Sequence, residues 1–250
     1  MTLRVGIDLD GVLADFRSAF RIVAASVLHS ELKGDGEALA PNELERVWKT
    51  IAGTHNWWVS VGAHEPEQIA RLFRLARDRH WEIVFLTKRP PSGGDAVQYQ
   101  TQWWLEHHGF LLPAVVTVPG SRGELANALR LDILIDDLFV NCAEVVGAST
   151  TKALLLLRAG EPQGVRDHAL TRGIGVVSTL QEAFDVLERL HEILPGRRGR
   201  LLRLADWFGT RRPAPPLQPL EPRPSLAIPS SPPSTRIPAA PETSHKPPKV

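Results

Sequence analysis

The sequence predicts an α/β protein: a doubly wound parallel sheet with a small helical cap inserted after the first strand, and a disordered Pro-rich C-terminal tail. Three observations carry this reading. Short apolar runs alternate with helical patterns, residues 10–81 separate the first apolar run from the second, and 13 of the 21 prolines fall in 213–250.

Residues 4–9 (RVGIDL), 82–86 (EIVFL), 114–118 (AVVTV), 133–135 (ILI), 153–157 (ALLLL) and 175–177 read as successive strands. Their near-continuous apolarity suits strands buried on both faces. Between them, 67–79, 96–107, 122–129 and 181–194 carry the apolar stripe of amphipathic helices. Only 67–79 is needed to cross from the first strand to the second, so the rest of that excursion is extra. Within it, 15–29 and 42–51 predict helices joined by a glycine-containing turn at 34–36, and the aromatic stretch HNWWV follows at 55–59. The cap is therefore placed at 16–63, within a main domain of residues 1–195.

Beyond that domain, GRRGRLLRLADWFGTRR at 196–212 spaces Leu201, Leu204, Ala205 and Phe208 as on one helix face, with arginines among them. This predicts a short basic amphipathic helix, either packed on the body or docking to a surface or partner. Residues 213–250 carry no apolar period and cannot build a core, so the segment reads as disordered. Pieces such as PAPPLQPLEP at 213–222 suit a partner domain that recognises polyproline.

Charge divides along the same boundary. Residues 1–195 carry 19 Lys and Arg against 25 Asp and Glu, while 196–250 carry 10 against 3. An acidic body is a poor nucleic-acid surface, but it can hold a phosphorylated ligand if a metal ion neutralises the site locally. The N-terminus, MTLRVGIDLDGV, lacks the basic-then-apolar order of a signal peptide. No apolar run approaches the roughly 20 residues of a membrane-spanning helix. The one cysteine, Cys142, has no internal disulfide partner, so a reducing compartment, the cytoplasm, is expected. Oligomeric state is not legible.

In open parallel sheets the ligand sits beyond the carboxyl ends of the strands. The residues there are Asp8, Asp10 and Gly11 after the first run, Thr87, Lys88 and Arg89 after the second, and Asp136 and Asp137 after the fourth. Carboxylates gathered so closely repel one another, and a divalent cation resolves the conflict. Magnesium suits it, as a hard ion that takes one or two carboxylates, waters and a phosphate oxygen.

Four segments in this order, DLDGV at 8–12, FLTKRP at 85–90, GSRGELA at 120–126 and ILIDD at 133–137, resemble the haloacid dehalogenase (HAD) superfamily of phosphohydrolases. The likeness covers about residues 1–180. A closer likeness, on DGVLADF at 10–16, the early cap and LDILIDD at 131–137, is to the 5′(3′)-deoxyribonucleotidase-like branch. The resemblance implies a HAD-type phosphatase with an aspartyl-phosphate intermediate, acting on a small phosphorylated metabolite such as a (deoxy)nucleoside monophosphate. Asp8 is then the nucleophile and Asp10 the general acid and base. An aspartate at this second position favours phosphate-ester chemistry over halide displacement.

Further roles follow from the same resemblance. Asp8, the Asp10 carbonyl and Asp137 are expected to hold Mg2+, with Asp136 bound to it or just behind. Thr87 donates its hydroxyl to the transferring group. Arg122 stands where the family more often has lysine and serves as the phosphate-stabilising cation, with Lys88 and Arg89 in reserve. Phe16, Trp57 and Trp58 offer flat rings for a base, or else pack the cap on the body. Two other readings stay open: a phosphotransferase or mutase using the same intermediate, and an interaction protein acting through its Pro-rich tail.

Overall fold

The computed structural model describes residues 2–29, 39–117, 120–158 and 163–193, all within one compact unit, Met1–Leu204. The expected turn at 34–36, the basic helix at 196–212 and the tail at 213–250 lie outside the described residues.

Among the described residues, six parallel strands form one sheet: β1 (Arg4–Asp8), β2 (Glu82–Thr87), β3 (Ala114–Thr117), β4 (Ile133–Asp136), β5 (Lys152–Leu156) and β6 (Gly175–Val177). Their order is β3-β2-β1-β4-β5-β6. The chain thus builds outward from β1 in one direction, returns, and builds outward in the other. This doubly wound order places a topological switch point between β1 and β4, where the connections leave in opposite directions and open a crevice. The register sets Asp8 beside Leu86 of β2 and Ile7 beside Ile135 of β4. The residues that follow these three strands therefore emerge side by side.

Helices cover both faces. On one, α3 (Pro66–Arg79), α4 (Val97–His107) and α8 (Leu180–Ile193) enclose a core that includes Ile7, Phe85, Leu72, Trp104 and Phe184. On the other, α5 (Arg122–Ala128), α6 (Phe139–Ala148) and α7 (Gln163–Thr171) close over Leu86, Leu134, Leu155 and Val145. Strand interiors buried on both sides explain why the runs read as apolar throughout rather than alternating. Strand and helix bounds otherwise fall within a residue or two of the expected ones.

Two helices, α6 and α7, are additions to the sequence reading. The α6 segment FVNCAEVVGA contains three β-branched valines, a glycine and no side-chain cap, all unfavourable to an isolated helix. Its stability comes from packing. Residue 123 is glycine where α5 meets α6, and a Cβ there would stand 2.4 Å from the Glu144 carbonyl oxygen, so only glycine allows this approach.

The excursion after β1 holds α1 (Phe16–Leu28), α2 (Pro41–Gly53) and a 3-10 turn at Trp57–Ser60. Asp15 caps α1 by accepting from the Ser18 N–H at 3.1 Å. At the start of α2, proline stands at the first helical position, where a missing N–H costs nothing, and Glu43 accepts from the Ala40 N–H at 2.9 Å. The two helices pack on each other through Phe16, Phe20 and Trp48. Among the described residues no helix is long and apolar enough to cross a membrane.

Candidate active site

Asp8 is the last residue of β1 and is buried. The chain then turns sharply: Leu13 and Ala14 both donate their N–H groups to the Leu9 carbonyl, and Gly11 adopts a φ of +92°. This backbone region is open to glycine at little cost. The turn brings Asp10 back above the sheet beside Asp8.

Arg122, at the start of α5, is 2% exposed and reaches across the crevice. Its Nη2 donates to Asp8 Oδ1, and its Nε stands 3.6 Å from Asp136 Oδ2. The helix start is tied down by Glu144 of α6, whose Oε2 accepts from the Ser121 hydroxyl at 3.0 Å and the Arg122 N–H at 3.1 Å. Arg122 Nε and Nη1 are nevertheless buried without a hydrogen-bond partner among the described residues.

The β4 acids differ in their surroundings. Asp136 is fully buried; its Oδ1 accepts from the Leu138 N–H at 2.9 Å, and both its oxygens accept from the Asn141 amide at 3.0 Å. Asp137 faces the crevice, and its buried Oδ1 has no hydrogen-bond partner among the described residues. Burial, then the Asp136 charge, raises the Asp137 carboxyl from 3.8 to about 7. Burial also holds Asp8 well above the usual carboxylate range; Asp136 adds to the rise and Arg122 opposes it. Asp136 is raised by burial against the bonds from Leu138 and Asn141. These shifts have one cause, negative charge crowded into a site with little water.

On the other side of Asp8 stands the β2 end. Thr87 is buried; its Oγ1 accepts from the Arg89 N–H at 3.1 Å and lies 3.4 Å from Asp10 Oδ2. Arg89 donates to Asp10 through Nη2 at 2.8 Å and Nε at 3.0 Å. Lys88 is exposed on the wall of the crevice.

Asp8, Asp10, Lys88, Arg89, Arg122 and Asp137 line part of a cavity of about 1020 Å³ to whose wall the helical insertion contributes Phe16, Phe20, Leu39, Trp48 and Trp58. Phe16 stacks on Trp48 at 5.9 Å and on Trp58 at 5.9 Å. Trp57 stands elsewhere. It is 6% exposed, packs edge-on to Trp58 at 4.7 Å and takes no part in the cavity wall.

The structure thus gathers Asp8, Asp10, Thr87, Lys88, Arg89, Arg122, Asp136 and Asp137 at the switch point, with Trp58 beside Arg89 and Phe16 stacked on Trp58. It adds residues that sequence reading passed over. Arg158 follows β5 and donates to the Val12 carbonyl at 2.8 Å and to Glu65 Oε1 at 2.8 Å, fixing the loop that carries Asp10. Inspection of the fifth strand's end, as of the first, second and fourth, would have singled it out. Trp48 and Phe20 lay on predicted helices, where an aromatic on a helix face gives no hint of which space it faces.

The donors suit a hard divalent cation. Gly11 leaves room for the Asp137 carboxylate beside the β1 turn: a Cβ at position 11 would fall 2.0 Å from Asp137 Oδ2. Among the described residues no three His, Cys, Asp or Glu side chains are grouped at metal-binding spacing. Magnesium does not require three, because it is commonly held by one or two carboxylates with carbonyl and water oxygens. Asp8, Asp137 and the Asp10 carbonyl would supply that set.

No protein-family model matches the chain, and no curated protein does. Solved structures do. A hydrolase from Pseudomonas syringae matches at TM-score 0.47 and 17% identity, over 77% of this chain and 99% of its own. A HAD hydrolase, family IA, variant 3, from Entamoeba histolytica matches at 0.44 and 11%, over 73% and 95%. A beta-phosphoglucomutase from Clostridium difficile matches at 0.42 and 14%, over 77% and 98%. Likeness at this level adds nothing to the topology above, and a functional reading rests on the site itself.

Proposed function

We propose that this chain is a magnesium-dependent phosphomonoesterase of the HAD type that works through an aspartyl-phosphate on Asp8. The observation that carries the reading is a pair of unmet needs in one cavity. Among the described residues, Arg122 Nη1 and Nε are buried donors without a hydrogen-bond partner, Nε having only the Asp136 carboxylate at 3.6 Å, and Asp137 Oδ1 is a buried acceptor without one. Buried polar groups are rarely left so. A phosphate monoester accompanied by a cation meets both needs at once.

In this mechanism an Asp8 oxygen attacks phosphorus, and the bond to the ester oxygen breaks. The Asp10 carboxyl gives its proton to the departing alcohol. Asp10, now a carboxylate, then takes a proton from water as that water attacks the aspartyl-phosphate, releasing inorganic phosphate and restoring Asp8. Arg122 donates to the phosphoryl oxygens where charge accumulates, and the Thr87 hydroxyl stands beside them. Magnesium, when bound, neutralises charge on the phosphoryl group and the carboxylates. The alcohol part of the substrate lies against Phe16, Phe20, Trp48 and Trp58, which favours a small ester with a flat apolar body, a (deoxy)nucleoside monophosphate being the first candidate. The helical insertion acts as a cap that excludes water from this space.

A magnesium-supplemented screen of phosphorylated metabolites, deoxynucleotides included, tests the reading. Release of inorganic phosphate that vanishes in Asp8→Asn supports it, and turnover undiminished in Asp8→Asn overturns it. Transfer to an added sugar in place of water would make the chain a mutase. Cys142, buried and unpaired, suits the cytoplasm, and the Pro-rich segment at 213–250 is proposed to engage a polyproline-binding partner.

A further inference from the structure

We infer that Arg89 is a positioning residue for Asp10, and that Trp58 links the helical insertion to Asp10 through it. This rests on the phosphomonoesterase reading, in which Asp10 is the proton donor.

The Arg89 side chain is completely buried, and its donors are already directed. Its Nε lies 3.0 Å from each Asp10 oxygen, Nη2 lies 2.8 Å from Oδ1, and Nη1 donates to Thr101 Oγ1 at 3.2 Å. The guanidinium carbon stands 4.8 Å from the Trp58 ring centre and 5.9 Å from that of Trp104. The rings that flank it are anchored in turn. Trp58 Nε1 donates to the Pro90 carbonyl at 2.9 Å, the Trp58 N–H to Gln100 Oε1 at 3.2 Å, and Trp104 Nε1 to the Val61 carbonyl at 2.6 Å. Arg89 is therefore held through its nitrogens by Asp10 and Thr101, with its guanidinium carbon over the Trp58 and Trp104 rings. It has little freedom to follow a phosphoryl group.

A planar fork that meets a carboxylate at two nitrogens fixes the carboxylate plane as well as its position, which an ammonium group does not. Proton transfer depends on that placement to within a fraction of an ångström. The guanidinium also faces the carboxylate that remains once the proton has left for the ester oxygen. Trp58 belongs to the 3-10 turn that ends the insertion, and it stacks on Phe16, the first residue of α1. A ligand packed against Phe16 thereby bears on the same ring that braces Arg89. The insertion and the proton donor are joined by one continuous chain of contacts, Phe16–Trp58–Arg89–Asp10.

The test compares two esters of similar shape whose leaving groups differ in their need for a proton, 4-nitrophenyl phosphate and phenyl phosphate. The quantity read is kcat/KM, which reports the step in which the ester bond breaks. Arg89→Lys and Arg89→Met should each lose roughly tenfold more on phenyl phosphate than on 4-nitrophenyl phosphate. Trp58→Leu should shift the ratio in the same direction, and adding it to Arg89→Lys should shift the ratio no further. Arg89→Lys keeps the buried charge and provides the measurement if Arg89→Met does not fold. Equal losses on both esters, or ratio shifts that multiply in the double variant, overturn the inference. Asp8→Asn run alongside separates the two levels: its inactivity with equal Arg89 losses removes only the positioning role, whereas its full activity removes the phosphomonoesterase reading.

Discussion

Gly11 lies directly beneath the Asp137 carboxylate, so near that a Cβ on residue 11 would come within 2.0 Å of Oδ2. The backbone there has a φ of +92°, and the same glycine therefore serves the turn after β1 and the carboxylate after β4. Gly11→Ala should cost about 1–2 kcal/mol of stability from the left-handed backbone alone. The displaced carboxylate should also raise the magnesium concentration needed for half-maximal turnover. Thermal unfolding and a magnesium titration of the rate measure the two effects, and an unchanged titration would show that Asp137 does not face the ion.

Asp137 gives a pH dependence whose sign is determinate. Its carboxyl is raised from 3.8 to about 7 in the folded chain, so between those values the folded state holds a proton that the unfolded state has lost. Stability from this group is therefore greatest at low pH, declines as pH rises toward about 7 and levels off above. Without divalent ions, the melting temperature of the parent chain relative to Asp137→Asn should fall between pH 5 and pH 8. Added magnesium at pH 8 should recover the loss in the parent and not in the variant. A constant difference between the two proteins across that range would contradict the assignment.

Arg122 is the buried cation paired with Asp8 and Asp136, and the effect of removing it should show in rate and in stability. Arg122→Ala should lower kcat by roughly 10²–10³, as for loss of a donor to a charged transition state. It should also destabilise the chain by about 3–5 kcal/mol, since Asp8 and Asp136 lose their buried partner. Arg122→Lys should largely retain turnover. Parent-like rates in Arg122→Ala would shift the phosphate-binding role to Lys88.

Asn141 satisfies both oxygens of Asp136. Asn141→Ala should cost about 1–3 kcal/mol, because a buried carboxylate loses donors that nothing replaces. Chemical denaturation measures it, and a cost near zero would mean that Asp136 turns to another partner.

Across the cavity, Phe16→Ala should raise KM for a flat apolar ester by roughly tenfold while kcat holds for a leaving group that needs no proton, the pattern of binding shared by ground and transition states. A fall in kcat with KM unchanged would place Phe16 with the reacting groups instead.

Much of this was legible in the chain, for identifiable reasons. A parallel sheet covered on both faces imposes apolar runs of strand length, and acids placed at the ends of such strands, Asp8 and Asp136, stand out against them. The excursion at 16–63 showed itself by length and by helical pattern. The α6 helix did not, since FVNCAEVVGA has neither a cap nor strong propensity, and its helix exists because α5 and the sheet pack against it. Local pattern carries no record of such support.

By itself, then, the sequence determined the α/β architecture, the strand ends where acids gather and the helical insertion, because these depend on periodicity and on short-range neighbours. Only the tertiary structure decided the partners. It paired Arg89 with Asp10 rather than leaving it to the phosphate, turned Asp136 toward Asn141 and Asp137 toward the crevice, and put Trp58 on the cavity wall and Trp57 behind it. Such choices separate adjacent residues of like type, and they follow from strand register and packing between segments such as those of Asp8 and Arg122, 114 residues apart, distances over which one-dimensional pattern is silent.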